Sequence, residues 1–355
     1  AEKISTGGMH SCAILSNNSV SCWGDNTAGQ LGNGNTTTSS NPVFVQSLDS
    51  NSKPIEISLG NYHSCLLLEN NSVYCWGSNM NGQLGIGNYN NSLQPVYVNT
   101  NFGVATISSG HNHVCVVLLN GALNCWGRNA NGQLGIGNTT QMNSPVGVHG
   151  LNSSNTVLSV SSGQENTCAV LENRSAMCWG DNIYGQIGFG GGANQYRLIP
   201  EYVQNSWGTE EVVEIEIREQ HACATVTFQG VWEQRSLYCW GNHRYSSSSA
   251  SSRVPVLVQS PSVGNELTYV ESLALGSIHT CVIMFNGEVK CLGYNLYGQL
   301  GIPWIDFGAQ RSSLTYIGTL GVNNVDIALA ERDFDGDGIL NIFDGNQILD
   351  YRETS

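Results

Sequence analysis

Gly60-Asn61-Tyr62-His63-Ser64-Cys65-Leu66-Leu67-Leu68-Glu69-Asn70-Asn71-Ser72-Val73-Tyr74-Cys75-Trp76-Gly77-Ser78-Asn79-Met80-Asn81-Gly82-Gln83-Leu84-Gly85 decides the fold, because variants of it recur along nearly the whole chain. The first cysteines of successive variants are 53, 50, 53, 55 and 58 residues apart, so the 355 residues read as six repeats of about fifty rather than as two or three ordinary domains. Each unit keeps one order. An apolar strand such as Ile55-Glu56-Ile57-Ser58-Leu59 leads to a glycine, then His and Cys, a second apolar strand, an Asn or Gly turn, a strand ending Cys-Trp-Gly, and a glycine-rich loop. A Pro-Val strand closes it, as in Pro42-Val43-Phe44-Val45 or Pro95-Val96-Tyr97-Val98. Four short strands per unit, frequent turn signals and no useful helical period predict an all-β propeller with one blade per repeat.

Composition agrees and excludes several functions. The chain holds 42 glycines and only 11% charged residues, against about 25% in ordinary soluble domains, which suits short strands and tight turns. A net charge of −14 with 13 Lys and Arg lacks the clustered cations that attract phosphate backbones, so nucleic acid is a poor partner. The longest apolar run, Val114 to Leu119, is far shorter than the roughly 18 residues of a membrane-spanning helix.

The twelve cysteines fall in six pairs: Cys12 and Cys22, Cys65 and Cys75, Cys115 and Cys125, Cys168 and Cys178, Cys223 and Cys239, Cys281 and Cys291. Their separations of ten or sixteen positions are even, so in a hairpin both sulfurs face one side and can lie opposite each other. Zinc competes, but no C-x-x-C pair exists and a hairpin offers two ligands where a structural site wants four. Disulfides are therefore expected within each hairpin, each stabilising by about 2 to 3 kcal/mol in the chain-entropy model. They imply an oxidising compartment, so the chain is expected to be secreted or displayed at the cell surface.

Gly60, His63, Trp76, Gly77, Asn79, Gly82, Gln83, Leu84 and Gly85, with counterparts around Trp23, Trp126 and Trp179, resemble the repeats of the regulator of chromosome condensation family over about residues 3–330. That resemblance implies a β-propeller. The founding member's nuclear exchange activity is not carried over, because acidic charge and paired cysteines tell against a chromatin role.

Several units depart from the pattern. Unit four has Asn166 for the histidine and an extended Gly190-Gly191-Gly192 loop. Unit five has Arg218 for the glycine, a longer hairpin around Gln229-Gly230-Val231-Trp232, and Ser246 to Ser249 in place of Gly-Gln-Leu-Gly. Unit six has Leu292 for tryptophan and the insertion Pro303-Trp304-Ile305-Asp306-Phe307. Val325-Asp326-Ile327-Ala328-Leu329 would open a seventh unit, but Lys3-Ile4-Ser5-Thr6-Gly7 already supplies unit one, so six blades are expected and seven with an incomplete last one is the alternative.

The propeller is assigned residues 1–330, leaving 331–355 as a tail. There Asp333, Asp335 and Asp337 stand at positions 1, 3 and 5 of a twelve-residue loop, with Gly338 at 6, Ile339 offering a carbonyl at 7, Asn341 at 9 and Asp344 at 12. Close carboxylates repel unless a hard cation sits between them, so the loop is expected to bind calcium, and it resembles those of dockerins and thrombospondin type 3 repeats.

The recurring His10, His63, His113, His221 and His279 are read as packing residues that bond a neighbouring loop, in preference to a metal ring or a catalytic base. The Cys-Trp-Gly tryptophans are read as wedges between blades and the Gly-Gln-Leu-Gly segments as turns. Seven N-x-S/T sequons occur, of which Asn17, Asn70 and Asn173 fall at hairpin tips where a secreted chain accepts glycans. No Ser-His-Asp or Cys-His arrangement stands out, and no set of titratable groups for the central opening, so no enzyme is expected. The expected role is recognition of a protein or glycan at the cell surface, with contacts from Trp232, Arg244, Tyr245, Trp304 and Phe307. A subunit of an extracellular filament or surface layer, a homopolymer joined by strand addition and calcium, is the alternative.

Overall fold

A computed structural model describes residues 1–48, 52–192, 196–204, 208, 210–227, 235–242, 251–259, 270–285, 287–295, 298–301 and 310–316. Every regular element among them is a strand. Blade one holds β1 (Lys3–Thr6), β2 (His10–Ile14), β3 (Val20–Gly24) and β4 (Ser39–Phe44), and blade two β5 (Pro54–Leu59), β6 (His63–Leu68), β7 (Val73–Gly77) and β8 (Ser92–Val98). Blade three holds β9 (Val104–Ser109), β10 (His113–Leu118), β11 (Leu123–Gly127) and β12 (Met142–Gly147), and blade four β13 (Val157–Ser162), β14 (Asn166–Leu171), β15 (Ala176–Gly180) and β16 (Arg197–Tyr202). Blade five holds β17 (Glu211–Ile217), β18 (His221–Thr227), β19 (Arg235–Gly241) and β20 (Ser252–Gln259), and blade six β21 (Val270–Leu275), β22 (His279–Met284), β23 (Val289–Tyr294) and β24 (Gln310–Tyr316). Each blade is an antiparallel sheet of four consecutive strands, giving the expected six-bladed propeller with unit one opening on Lys3. The candidate strand 325–329 lies outside the described residues.

All six cysteine pairs form disulfides across the two middle strands of their blade. Their Cα atoms are 4.0–4.1 Å apart, the close spacing of a non-hydrogen-bonded pair. The N–H and C=O groups of the second cysteine therefore face the fourth strand, and those of the first cysteine face the first strand. Pro42, Pro95, Pro145, Pro200 and Pro255 each precede the residue paired with the second cysteine of their blade, so each points outward and removes a donor from the free edge. In β24 that outward position is Leu314, which keeps its N–H.

The repeated loop joins blades to one another. Asn79 Oδ1 accepts from Leu84 N–H at 2.9 Å and folds the segment, while the Gln83 carbonyl accepts the indole N–H of Trp126, from the next blade, at 2.9 Å. Leu84 and Trp126 then bury together in the apolar cluster between blades two and three. Gly85 has φ +70, and a Cβ there would stand 2.6 Å from Trp126 Nε1, so only glycine serves. The same bond joins Trp76 to Gln30, Trp179 to Gln133 and Trp240 to Gln186, each at 2.9 Å, so the tryptophans are wedges as expected. Leu292, without an indole N–H, fills this place in the cluster between blades five and six.

Three of the histidines also bond between blades, but to the next blade's second strand rather than to a loop. His10 Nε2 meets Ser64 Oγ at 2.9 Å, His113 meets Thr167 Oγ1 at 2.9 Å and His221 meets Thr280 Oγ1 at 3.1 Å. Ser64 and Thr167 donate their own hydroxyl protons to Gln30 O at 2.8 Å and Gln133 O at 2.9 Å. They must therefore accept from Nε2–H, which makes His10 and His113 neutral Nε2–H tautomers. Burial holds His10 at a pKa of about 4 and His63 and His113 at about 3.

Candidate functional site

The first and second strands of each blade are joined by a tight turn at one end of the ring, and these turns surround a central opening with a cavity of about 340 Å3. The inner strands are held in place by side chains that reach the next blade. Ser58, Ser108 and Ser161 accept from the backbone N–H of Ser109, Ser162 and Ile217 at 2.8, 2.9 and 3.1 Å, and the Glu216 carboxylate accepts from Leu275 N–H at 3.3 Å. Above them the turns are linked through their backbones: Gly8 N–H donates to Gly60 O at 3.2 Å, Asn61 to His111 O at 3.0 Å and His111 to Gly163 O at 3.2 Å. Gly60 permits this because a Cβ there would lie 2.0 Å from the ring of His63.

On this fixed frame each blade presents a different pair of residues between its glycine position and its histidine position. They are Gly8-Met9, Asn61-Tyr62, His111-Asn112, Gln164-Glu165, Glu219-Gln220 and Ser277-Ile278. The loops after the third strands rise on the same face, since Asp25 N–H bonds Met9 O and Ser78 N–H bonds Tyr62 O, both at 2.8 Å. Their tips carry exposed Met80, Ile183 and Tyr184.

Charge gathers on one side of the opening. Glu219 Oε1 accepts from Ser277 Oγ at 2.8 Å and stands 3.9 Å from His111 Nε2, so blade five reaches past blade four to blade three. Arg218, in the glycine position, donates through Nε to Leu275 O at 3.1 Å. Burial lowers the His111 pKa, with Glu219 opposing. Beside them Arg128 pairs with Glu165 at 2.7 Å, and Gln133 also donates to that carboxylate. Deeper in the bore, burial and the Glu216 carboxylate push Glu214 up to about 7. The expectation that no titratable set converges on the opening is thus corrected, because sequence cannot bring positions 111, 218, 219 and 277 together. The carboxylate sits between hydroxyl and imidazole, which is not the hydroxyl–imidazole–carboxylate order of a nucleophile relay.

The expected contact residues Trp232, Arg244, Tyr245, Trp304 and Phe307 lie outside the described residues, as do the calcium-loop residues Asp333, Asp335, Asp337, Ile339, Asn341 and Asp344. Asn17, Asn70 and Asn173 are exposed at the tips of the middle hairpins, at the end of the ring away from the opening. The rim residues went unread because the turn residue before each histidine looked like spacer. Its variation beside the recurring Gly and His was the available signal.

A family model described as the RCC1-like domain matches residues 1–312. The ultraviolet-B receptor UVR8 of Arabidopsis thaliana is 29% identical over 302 residues, which cover 84% of this chain and 66% of that protein. The human E3 ubiquitin-protein ligase HERC2 is 28% identical over 302 residues, 84% of this chain and 5% of that protein. The chain thus spans less than two thirds of the length of these curated relatives. Among solved structures, human WBSCR16 has a TM-score of 0.77 at 20% identity, covering 89% of this chain and 81% of that one. Yeast RCC1 (Prp20), solved with Kap60 bound, has 0.75 at 20% identity, covering 90% and 75%.

Proposed function

The chain belongs to the RCC1-like domain family, and from that premise we propose that it is a non-catalytic recognition module whose partner, a protein or a surface glycan, docks on the face around the central opening. The observation that carries this reading is the set of six turns around the opening, those of blades one to four linked through their backbones, on which each blade displays different side chains. A rigid scaffold with variable tips is what recognition needs, because little ordering entropy is lost on binding. Six disulfides support a secreted or cell-surface setting. Calcium, held by Asp333, Asp335, Asp337, Ile339, Asn341 and Asp344, would tie down the tail or link it to a neighbouring module.

Affinity capture with the whole chain and with the triple variant Tyr62→Ala, His111→Ala, Glu219→Ala tests the face. A protein or glycan retained by the first and lost by the second is expected; identical captures by both would overturn the assignment. Repeating the capture in chelator, with calorimetric titration of calcium, tests the tail. A filament joined by strand addition is favoured by one observation only, the proline-free edge of β24, and light scattering with and without chelator tests it.

A further inference from the structure

We propose that the face opposite the opening is built to carry N-linked glycans at Asn17, Asn70 and Asn173, leaving the opening face bare for its partner. This rests on the extracellular reading above. All three residues sit at one register, the tip of the hairpin between the second and third strands of blades one, two and four. The following residue takes a positive φ, 63° at Asn18, 64° at Asn71 and 62° at Arg174, which turns each asparagine out into solvent.

What separates these sequons from the rest is the hydroxyl two residues on. The Asn17 carbonyl accepts from Ser19 N–H at 3.0 Å and Ser19 Oγ at 2.6 Å, that of Asn70 from Ser72 at 3.1 and 2.5 Å, and that of Asn173 from Ser175 at 3.0 and 2.7 Å. At Asn35, Asn138 and Asn152 the carbonyl accepts from the backbone N–H of Thr37, Thr140 and Ser154, each at 2.8 Å, without the hydroxyl; Asn35 takes a second, longer donor from Asn26 Nδ2 at 3.3 Å. After Asn90, Ser92 turns its hydroxyl to Gln94 O instead. The short hydroxyl bond, added to the backbone one, draws electron density from Nδ2 and makes its proton easier to remove. In the transfer, Nδ2 loses a proton to a base and forms a bond to the anomeric carbon of an oligosaccharide. The lipid phosphate that carried the sugar leaves with the electrons of the broken C–O bond.

The second strand of each blade runs from its histidine, or Asn166 in blade four, at the opening to this hairpin, so sugars at the tips stand a full strand length away from Asn61, His111 and Glu219. Blade three shows the bare version of the turn: Asn120 accepts from Ala122 N–H at 3.1 Å and no hydroxyl follows.

The test expresses the whole chain behind a secretory leader in a host that glycosylates asparagine, followed by glycopeptide mass spectrometry of wild type and of Ser19→Ala, Ser72→Ala and Ser175→Ala. Occupancy at Asn17, Asn70 and Asn173, at least tenfold above Asn35, Asn90, Asn138 and Asn152, and lost singly in each variant, is expected. Unmodified tips, or equal occupancy at all seven, would overturn the proposal. Because the leader is supplied, acceptor competence is read independently of the chain's natural route. Where the native protein resides, tested by fractionating the source cells, bears on the extracellular reading alone.

Discussion

Blades two and three meet differently from blades six and one, and the difference shows what closes the ring. Between two and three, Leu84, Trp126 and Ile107 form part of one apolar cluster, Trp126 is fully buried and its N–H is bonded. Four further clusters join blades one to two, three to four, four to five and five to six in the same way. Among the described residues no cluster joins six to one, and that of blade six, with Cys291 and Leu300, stays within its own blade. Ile4 is 45% exposed where Ile57 is 7%, and Trp23 is half-buried with no acceptor for its indole among the described residues. Among the described residues no sheet mixes strands of blades six and one, so this part of the seam is joined by side-chain packing alone.

The sharpest way to break that comparison is to remove one wedge from each side of it. Trp126→Ala should cost about 3 to 5 kcal/mol in urea unfolding, as for a buried aromatic, and Trp23→Ala about 1 to 2 kcal/mol, since less apolar area is lost. Equal costs would mean that the seam is packed like the other interfaces.

A smaller effect separates interfaces within the regular part. His63 is buried with neither ring nitrogen bonded, because Val114 stands where Ser64 and Thr167 serve His10 and His113. Val114→Thr should therefore stabilise by about 1 kcal/mol, its hydroxyl linking His63 to the Gln83 carbonyl, whereas Ser64→Ala should destabilise by about 1 to 3 kcal/mol by leaving His10 unpaired. A destabilised Val114→Thr protein would show that His63 is satisfied in another way.

Acid adds a further contrast. His10, His63 and His113 have folded pKa values of about 4, 3 and 3, below the ordinary 6.5, so as pH falls from 6.5 the unfolded chain takes protons that the folded one refuses. Stability should drop steadily between pH 6.5 and about 3. Glu214, raised from 4.5 to about 7, acts in the opposite sense: its contribution is complete below pH 4.5 and is lost as pH rises through 7. Glu214→Gln should flatten the alkaline side of a melting-temperature profile and leave the acid side alone. An unchanged profile would show that Glu214 ionises freely in the bore.

The smallest expected change is at the rim. Pro95→Thr restores an outward N–H to β8, should move stability by no more than about 0.5 kcal/mol, and should increase self-association in light scattering. No change in association would mean that the outer edges are protected by something other than proline.

The blade count, the strand order, the six disulfides and the wedge role of tryptophan were legible because each follows from local spacing repeated in register. An even separation puts Cys65 and Cys75 on one side of a hairpin wherever that hairpin goes, and Gly-Gln-Leu-Gly folds on its own Asn79. The histidine partner was misjudged because Ser64 lies 54 positions from His10, in the next blade. The meeting of His111 with Glu219 across blade four was likewise invisible, since nothing in either repeat refers to the other.

Sequence by itself determined the blade, because four strands, one staple and one loop are settled by contacts within about fifty residues of chain. Only the tertiary structure decided the opening and the seam. Both arise from bending six similar sheets into a ring, which brings one turn from every blade to the axis and sets blade six beside blade one with no strand shared between them among the described residues.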